Sequence, residues 1–261
     1  MSIWYYEQHY PSTDGADIAY RVDCIFCGTT LVRDQEDEQK IEVYETLNYG
    51  MSDMFATICQ AVIGICPACG WWKYGVGTSM GGKSPAFIET ESASLKKLDL
   101  TDLSIPLADV RAYLTARYHR RFELHPRVFE EVVAAVFRDH GYNSRATAYS
   151  GDGGIDVVLE NGAGGTIGVQ VKRYRGRVGV EQIRELTGAL VIEGHTRGIF
   201  VTTSGFQSGA GITARKSGDR GYPIELLDAS GFLEALKIAQ VSSTQDVVAR
   251  KPWGEVRVWS S

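Results

Sequence analysis

Two copies of the pattern Cys-x-x-Cys-Gly, Cys24 to Gly28 and Cys66 to Gly70, stand on either side of residues 29–65. Each is the tight turn of a metal knuckle, with two thiolates converging on one tetrahedral ion and backbone amides meeting the sulfurs. Together they force two distant segments to meet, and Pro67 stiffens the second turn. Cys24, Cys27, Cys66 and Cys69 are therefore expected to hold a zinc ion. With four sulfur ligands there is no open position, so its role is structural. The alternatives are a disulfide pair and a redox motif. The odd count of five cysteines, in a chain whose start resembles no export signal, disfavours the first. The absence of a βαβ pattern disfavours the second. Cys59 reads as a buried apolar residue.

Strands surround these turns. Ala19 to Val22 enters the first, Thr30 to Val32 leaves it, Ile41 to Glu45 alternates, and Trp71 to Tyr74 leaves the second. The layout resembles a zinc ribbon with an enlarged insertion, whose acidic run Asp34 to Glu38 reads as a solvated loop. Trp4, Tyr5, Tyr6, Tyr10, Trp71, Trp72 and Tyr74 supply a small core. The segment from Gly75 to Glu91 is rich in glycine and serine and is expected to be a mobile linker. Gly77, Gly82, Lys83 and Ser84 match the letters of a phosphate-binding loop, but Pro85 follows where a helix must begin and no buried strand precedes. The expected organisation is an acidic zinc-ribbon-like module over 1–100, a connector helix within 101–125, an α/β domain over 126–240 and an extension over 241–261. In the extension Trp253, Val256, Val258 and Trp259 alternate as an extra strand that docks elsewhere.

In the back half the periodicity changes. Leu107 to Arg121 has a helical stripe of Val110, Leu114 and Tyr118. Pro126 opens a second helix, with Phe129, Val132, Val133 and Val136 or Phe137 buried, and Gly141 stops it. Val180 to Ile192 is a third helix, Ile199 to Val201 a strand and Ile224 to Asp228 another. Thr202, Thr203 and Ser204 are expected to cap the helix that follows, although their hydroxyls could also meet phosphate.

Between the second and third helices lies the chemistry. Ile155 to Glu160 is apolar and β-branched, Asn161 to Gly165 is turn material, and Thr166 to Arg173 alternates, which reads as a β-hairpin. Gln170 and Lys172 share one face. A symmetric hairpin sets Asp156 opposite Gln170, with facing Cβ atoms about 4.5–5.5 Å apart, near enough to share a cation. Gly151, Gly153 and Gly154 allow close backbone approach. Lys172, Arg173, Arg175 and Arg177 follow, where a phosphate backbone would lie. The plain alternative is a solvated Asp–Lys pair.

The blocks Pro126-x-x-Phe129-Glu130, Gly141-Tyr142, Gly151 to Asp156, Val169 to Tyr174 and Gly198 to Phe206 occur in an order that resembles the Mrr-type restriction endonuclease family. The resemblance covers about residues 122 to 238. It implies a restriction-endonuclease-like mixed sheet flanked by helices, and DNA cleavage dependent on Mg²⁺ or Mn²⁺. Asp156, Gln170 Oε1 and the Val171 carbonyl would hold the metal, with Lys172 beside the reacting water and Glu130 pointing into the site. Gln170 stands where many nucleases of this fold have glutamate and is similar to the family's glutamine variant. An amide brings no charge to a hard cation.

Net charge is −5, and it is unevenly spread. Residues 1–101 hold 7 Lys and Arg against 14 Asp and Glu, and residues 102–240 hold 17 against 16. An acidic front half is a poor match for a polyanion, while a nearly neutral domain grips DNA if its cations are gathered in one cleft. Arg173, Arg175 and Arg177 are the expected DNA contacts. No stretch is long and apolar enough for a membrane span, so a cytoplasmic protein is expected. Its partners would be DNA, a second copy for cutting both strands, and a regulatory partner or ligand at the front module. Two alternatives remain: a non-catalytic DNA or partner adaptor on the same fold, and a nuclease silent until its front module is engaged.

Overall fold

A computed structural model describes residues 3–11, 21–33, 40–43, 57–80, 87–147, 153–160 and 165–242. The chain divides into two compact units, residues 2–97 and residues 98–243.

The front unit is an antiparallel sheet of β1 (Trp4–Pro11), β2 (Val32–Arg33), β3 (Lys40–Val43), β4 (Thr57–Ile65), β5 (Trp72–Met80) and β6 (Phe87–Leu95). The order is β1-β6-β5-β4-β2, with β3 also paired to β4. Strands β4 and β5 form one long hairpin, from Thr57↔Met80 to Ile65↔Trp72, and the second cysteine turn is its tip. The first cysteine turn is closed by the bridge Asp23↔Thr30. The linker expected over 75–91 is instead strand wherever it is described. Lys73 to Thr78 pairs with Ser92 to Phe87, so glycine and serine here serve a backbone ladder. Residues 81–86, which include Gly82, Lys83 and Ser84, lie outside the described residues, as do residues 34–39. Ile3, Trp4, Leu31, Ile65, Trp71, Trp72 and Ala93 are the buried centre of this unit.

The second unit begins with α1 (Leu107–Ala116), a 3-10 helix (Tyr118–Glu123) and α2 (Pro126–Asp139). The single helix expected over 107–121 breaks at Arg117, whose φ −133 and ψ 54 are not helical. No apolar side chain of the 3-10 helix is buried, so packing does not hold it in the α form. Pro126 opens α2 at its first turn, as read from the sequence, and Phe129, Val132, Val133 and Val136 are buried. Gly141 follows with φ +91, a conformation glycine adopts at little cost.

Five strands then build a mixed sheet: β7 (Asn143–Ala146), β8 (Val157–Glu160), β9 (Thr166–Lys172), β10 (Arg197–Thr202) and β11 (Ile224–Leu227), in the order β11-β10-β9-β8-β7. Strands β7, β8 and β9 pair antiparallel, and β9, β10 and β11 pair parallel. The parallel half requires crossovers, which α3 (Val180–Glu193) and α4 (Ser208–Gly218) provide. Ile183, Leu186, Ala189 and Leu190 of α3 bury against Ile155, Val158 and Phe200. Gly168 and Gly198 let α3 come close, since a Cβ on either would meet a Leu190 methyl at 2.9 or 2.8 Å. On the opposite face α2 and α5 (Ala229–Ser242) join through Phe129 and Phe232, whose rings meet edge-on at 5.4 Å. No helix among the described residues is long and apolar enough to cross a membrane. Residues 243–261, where an extra strand is expected, lie outside the described residues.

Candidate active site

The hairpin forms in the expected register. Its ladder runs from Glu160↔Thr166 to Val157↔Val169, and one further step would set Asp156 opposite Gln170. The ladder stops before that step. The Asp156 amide donates to the Val169 carbonyl at 2.9 Å. Its carboxylate then turns along β9, where Oδ2 accepts from the Val171 amide at 2.6 Å. The turn of the chain is made by Gly153 and Gly154, at φ +60 and +87, which other residues reach only with strain. The acid is thus fixed to the backbone between Gln170 and Lys172, and it is buried, only 8% exposed.

Gln170 lies on the face of β9 that α3 covers. It is 4% exposed, and its Oε1 is buried with no hydrogen-bond partner among the described residues. A buried carbonyl oxygen left unpaired costs about 1–3 kcal/mol, so a water, an ion or another ligand that reaches it is stabilising. Its neighbour is the Gly154 backbone, where an added Cβ would stand 3.7 Å from Gln170 Nε2. An orphaned amide oxygen beside an aspartate suits a hard cation that takes oxygen ligands. Lys172 follows at the end of β9, half-buried.

Glu130 does not stand alone. Its carboxylate pairs with Arg127 Nη1 at 3.2 Å, and Arg127 Nε reaches Glu131 at 3.2 Å. Arg127 Nη1 also donates to the Thr147 carbonyl at 2.8 Å. Thr147 in turn holds the Asp156 segment: its amide donates to the Asp156 carbonyl at 2.9 Å and its hydroxyl to the Ile155 carbonyl at 2.8 Å. The helix acid is therefore tied to Asp156 through two intervening residues. Nothing in the sequence marked Arg127 or Thr147, because each acts through contacts across 20 or fewer residues that join α2, β7 and β8.

The arginines lie just beyond Lys172. Arg173, Arg175 and Arg177 are all exposed, but two of them have local partners. Arg173 donates to the Phe122 carbonyl, and the Arg175 guanidinium lies 4.8 Å from the Phe122 ring centroid. Thr203 and Ser204 do not cap α4, whose N-terminus has no side-chain cap. Their hydroxyls donate instead to the carbonyls of Tyr174 and Gly176, at 3.0 and 2.6 Å. Residues 151–152 and the hairpin tip at 161–164 lie outside the described residues.

In the front unit the four cysteines come together, each Sγ within 4.8 Å of the others, with no disulfide among them. Cys24 and Cys69 sulfurs are 3.6 Å apart and those of Cys27 and Cys66 are 3.4 Å apart. A tetrahedron with zinc–sulfur bonds of about 2.3 Å has edges of about 3.8 Å, so the cluster can hold one such ion. Gly28 and Gly70, at φ +71 and +78, close the two turns, and the Phe26 and Cys69 amides point at the sulfurs of Cys24 and Cys66. Crowding splits the thiols. Hydrogen bonding with Cys24 holds Cys27 well below the usual thiol range, and contact with Cys24 pushes Cys69 far above it. Trp4 braces the cluster by donating from Nε1 to the Cys69 carbonyl at 2.7 Å.

A three-stranded antiparallel β-meander that continues into a parallel βαβ half, with an acid and a Gln-x-Lys triplet on its central hairpin, defines the restriction-endonuclease-like fold. Residues 122–236 match the restriction endonuclease family Mrr_cat. Over 95 residues the chain is 36% identical to the type IV methyl-directed restriction enzyme EcoKMrr of Escherichia coli strain K12, covering 34% of this chain and 31% of that protein. It is also 36% identical over 89 residues to an uncharacterized protein of Sinorhizobium fredii, covering 32% of this chain and 23% of that one. The matched stretch is thus less than a third of the length of either relative.

The Asp156–Val171 bond generates a first prediction. Asp156→Ala leaves the buried Val171 amide unpaired, whereas Asp156→Asn keeps an acceptor there. Urea unfolding should rank the asparagine variant above the alanine variant by about 1–3 kcal/mol. Equal stabilities would mean that the carboxylate does not hold this amide.

Proposed function

We propose that the chain is a metal-dependent endonuclease that hydrolyses DNA phosphodiester bonds, acting in defence against foreign or modified DNA. The observation that carries this reading is the orphaned Gln170 Oε1 next to an aspartate anchored on the Val171 amide. Asp156, Gln170 and the Val171 carbonyl would hold Mg²⁺ or Mn²⁺. Bound there, the metal would supply acidity to a coordinated water and positive charge near the scissile phosphate. The protein's own part is to place the oxygens and to bring Lys172. That ammonium, at the mouth of the site, can hold the attacking water and offset charge as it develops on phosphate. Glu130 is read as a positioning residue, acting through Arg127 and Thr147 on the Asp156 carbonyl. The segment bearing Arg173, Arg175 and Arg177 would meet the phosphate backbone.

The similarity to a methyl-directed type IV enzyme supports restriction of modified DNA as the setting. A fold alone does not fix an activity, so the adaptor reading stands as the competing outcome. We place the enzyme in the cytoplasm as a homodimer, because cutting both strands requires two sites. The front unit is read as a zinc-bound module that takes a regulatory partner or ligand. Its acidic composition opposes a DNA-binding role.

Plasmid cleavage by purified protein with Mg²⁺ or Mn²⁺ tests the reading. Asp156→Asn and Lys172→Ala should each abolish cleavage with the fold retained. Cleavage within tenfold of the unaltered protein in either variant, a loss of about 1.4 kcal/mol of barrier or less, would remove the site assignment. No cleavage under any metal would favour the adaptor.

Elemental analysis of protein purified without chelator should find about one zinc per chain. Cys66→Ser should lose it and unfold the front unit, because metal binding and folding are coupled in such modules. Protein that is folded and free of zinc would contradict the assignment.

A further inference from the structure

Three arginines converge on Phe122, two over its ring and one on its backbone carbonyl. Phe122 lies in the last turn of the 3-10 helix, and the guanidinium carbons of Arg121 and Arg175 lie 4.2 and 4.8 Å from its ring centroid. Arg173 donates to the Phe122 carbonyl. Arg121 goes further: Nε donates to the Thr203 carbonyl at 2.7 Å and Nη1 to the Tyr118 carbonyl at 3.2 Å. Thr203 then closes the circuit. Its amide donates to the Lys172 carbonyl at 3.2 Å and its hydroxyl to the Tyr174 carbonyl at 3.0 Å. Ser204 takes the Gly176 carbonyl at 2.6 Å, and the Val178 amide donates to Gly205 at 2.9 Å. The segment after Lys172 is therefore exposed in its side chains and pinned along its backbone.

Cations gathered side by side repel one another, and nothing in the fold of a small domain requires them to be fixed so closely. The pinning has a use if a polyanion lies across them. The four arginines differ in what remains free. Arg121 spends donors on two carbonyls and its plane on Phe122, and Arg173 spends a donor on Phe122. The side-chain donors of Arg175 and Arg177 meet no acceptor among the described residues. Arg175 rests on the ring, an arrangement that leaves the edge of its guanidinium open. Glu123, the acid at the end of the same 3-10 helix, is engaged by Arg120 at 3.0 Å.

We propose that these cations divide by task, an inference that rests on the nuclease reading above. Arg175 and Arg177 contact DNA phosphate, while Arg121 and Arg173 are positioning residues that brace Phe122 and, through Thr203, hold Lys172 and its loop. At Arg121 only arginine does the bracing, because a lysine cannot lie flat on a ring and donate in a fixed fork at once.

The test is binding of the full chain to a labelled duplex without divalent metal, across a salt series, together with single-turnover cleavage at saturating DNA. Arg175→Ala and Arg177→Ala should each reduce the slope of log affinity against log salt by about 0.9, the loss of one phosphate contact. Arg121→Ala and Arg173→Ala should keep the wild-type slope and slow cleavage roughly ten- to hundredfold, as misplacement of a reacting group does. Arg121→Lys keeps the charge and loses the planar fork, so it should slow cleavage likewise and stands in where an alanine variant fails to fold. A slope loss in the positioning variants equal to that of Arg175→Ala, or an unchanged slope in Arg175→Ala, overturns the division. A wild-type chain that binds no DNA overturns the nuclease reading along with it.

Discussion

The second unit is organised around one hydrogen bond, from the Val171 amide to the Asp156 carboxylate. The Asp156 backbone is held on both sides, donating to the Val169 carbonyl and accepting from the Thr147 amide, and this bond brings its carboxylate to the backbone between Gln170 and Lys172. A charge-assisted bond of this kind is roughly twice as strong as a neutral one and holds a buried carboxylate in a single orientation. The glycines at 153 and 154 make the turn possible, and Thr147 secures it from the other side. The remaining oxygen of interest, Gln170 Oε1, is left unsatisfied beside it.

Much of this unit was legible in the sequence, and the reasons are local. The alternation in Thr166 to Lys172, the apolar run before it and the turn residues between them specified the hairpin. Pro126 and Gly141 bounded α2 by chemistry that acts within one turn. The short amphipathic helix α4 and the strand β7 carry no such signal. In α4 only Ala210, Ala214 and Ser217 are buried, too small to register as an apolar stripe. The front unit misled for a related reason. Glycine and serine between 75 and 80 look like linker material, yet their backbone amides join a ladder that composition does not report.

The candidate site was legible as a set of residue types and not as an arrangement. Spacing brought Asp156, Gln170 and Lys172 to one hairpin, but it set Asp156 across from Gln170, whereas its carboxylate reaches the Val171 amide. Glu130 was read as pointing into the site, and its pairing with Arg127, which donates to the Thr147 carbonyl, was not legible in the sequence. The arginines at 173, 175 and 177 were visible as a charge run. That the run is fixed to Phe122 and Thr203 depends on tertiary contacts that no local pattern encodes.

The central claim is that Asp156 and Gln170 form one cation site whose missing partner is a divalent metal. Electron paramagnetic resonance of Mn²⁺ titrated into the zinc-loaded protein measures this without reference to cleavage. The account predicts about one bound Mn²⁺ per chain that is lost in Gln170→Leu, a substitution that removes the oxygen and keeps similar bulk. Equal Mn²⁺ occupancy in the leucine variant and the unaltered protein would contradict it.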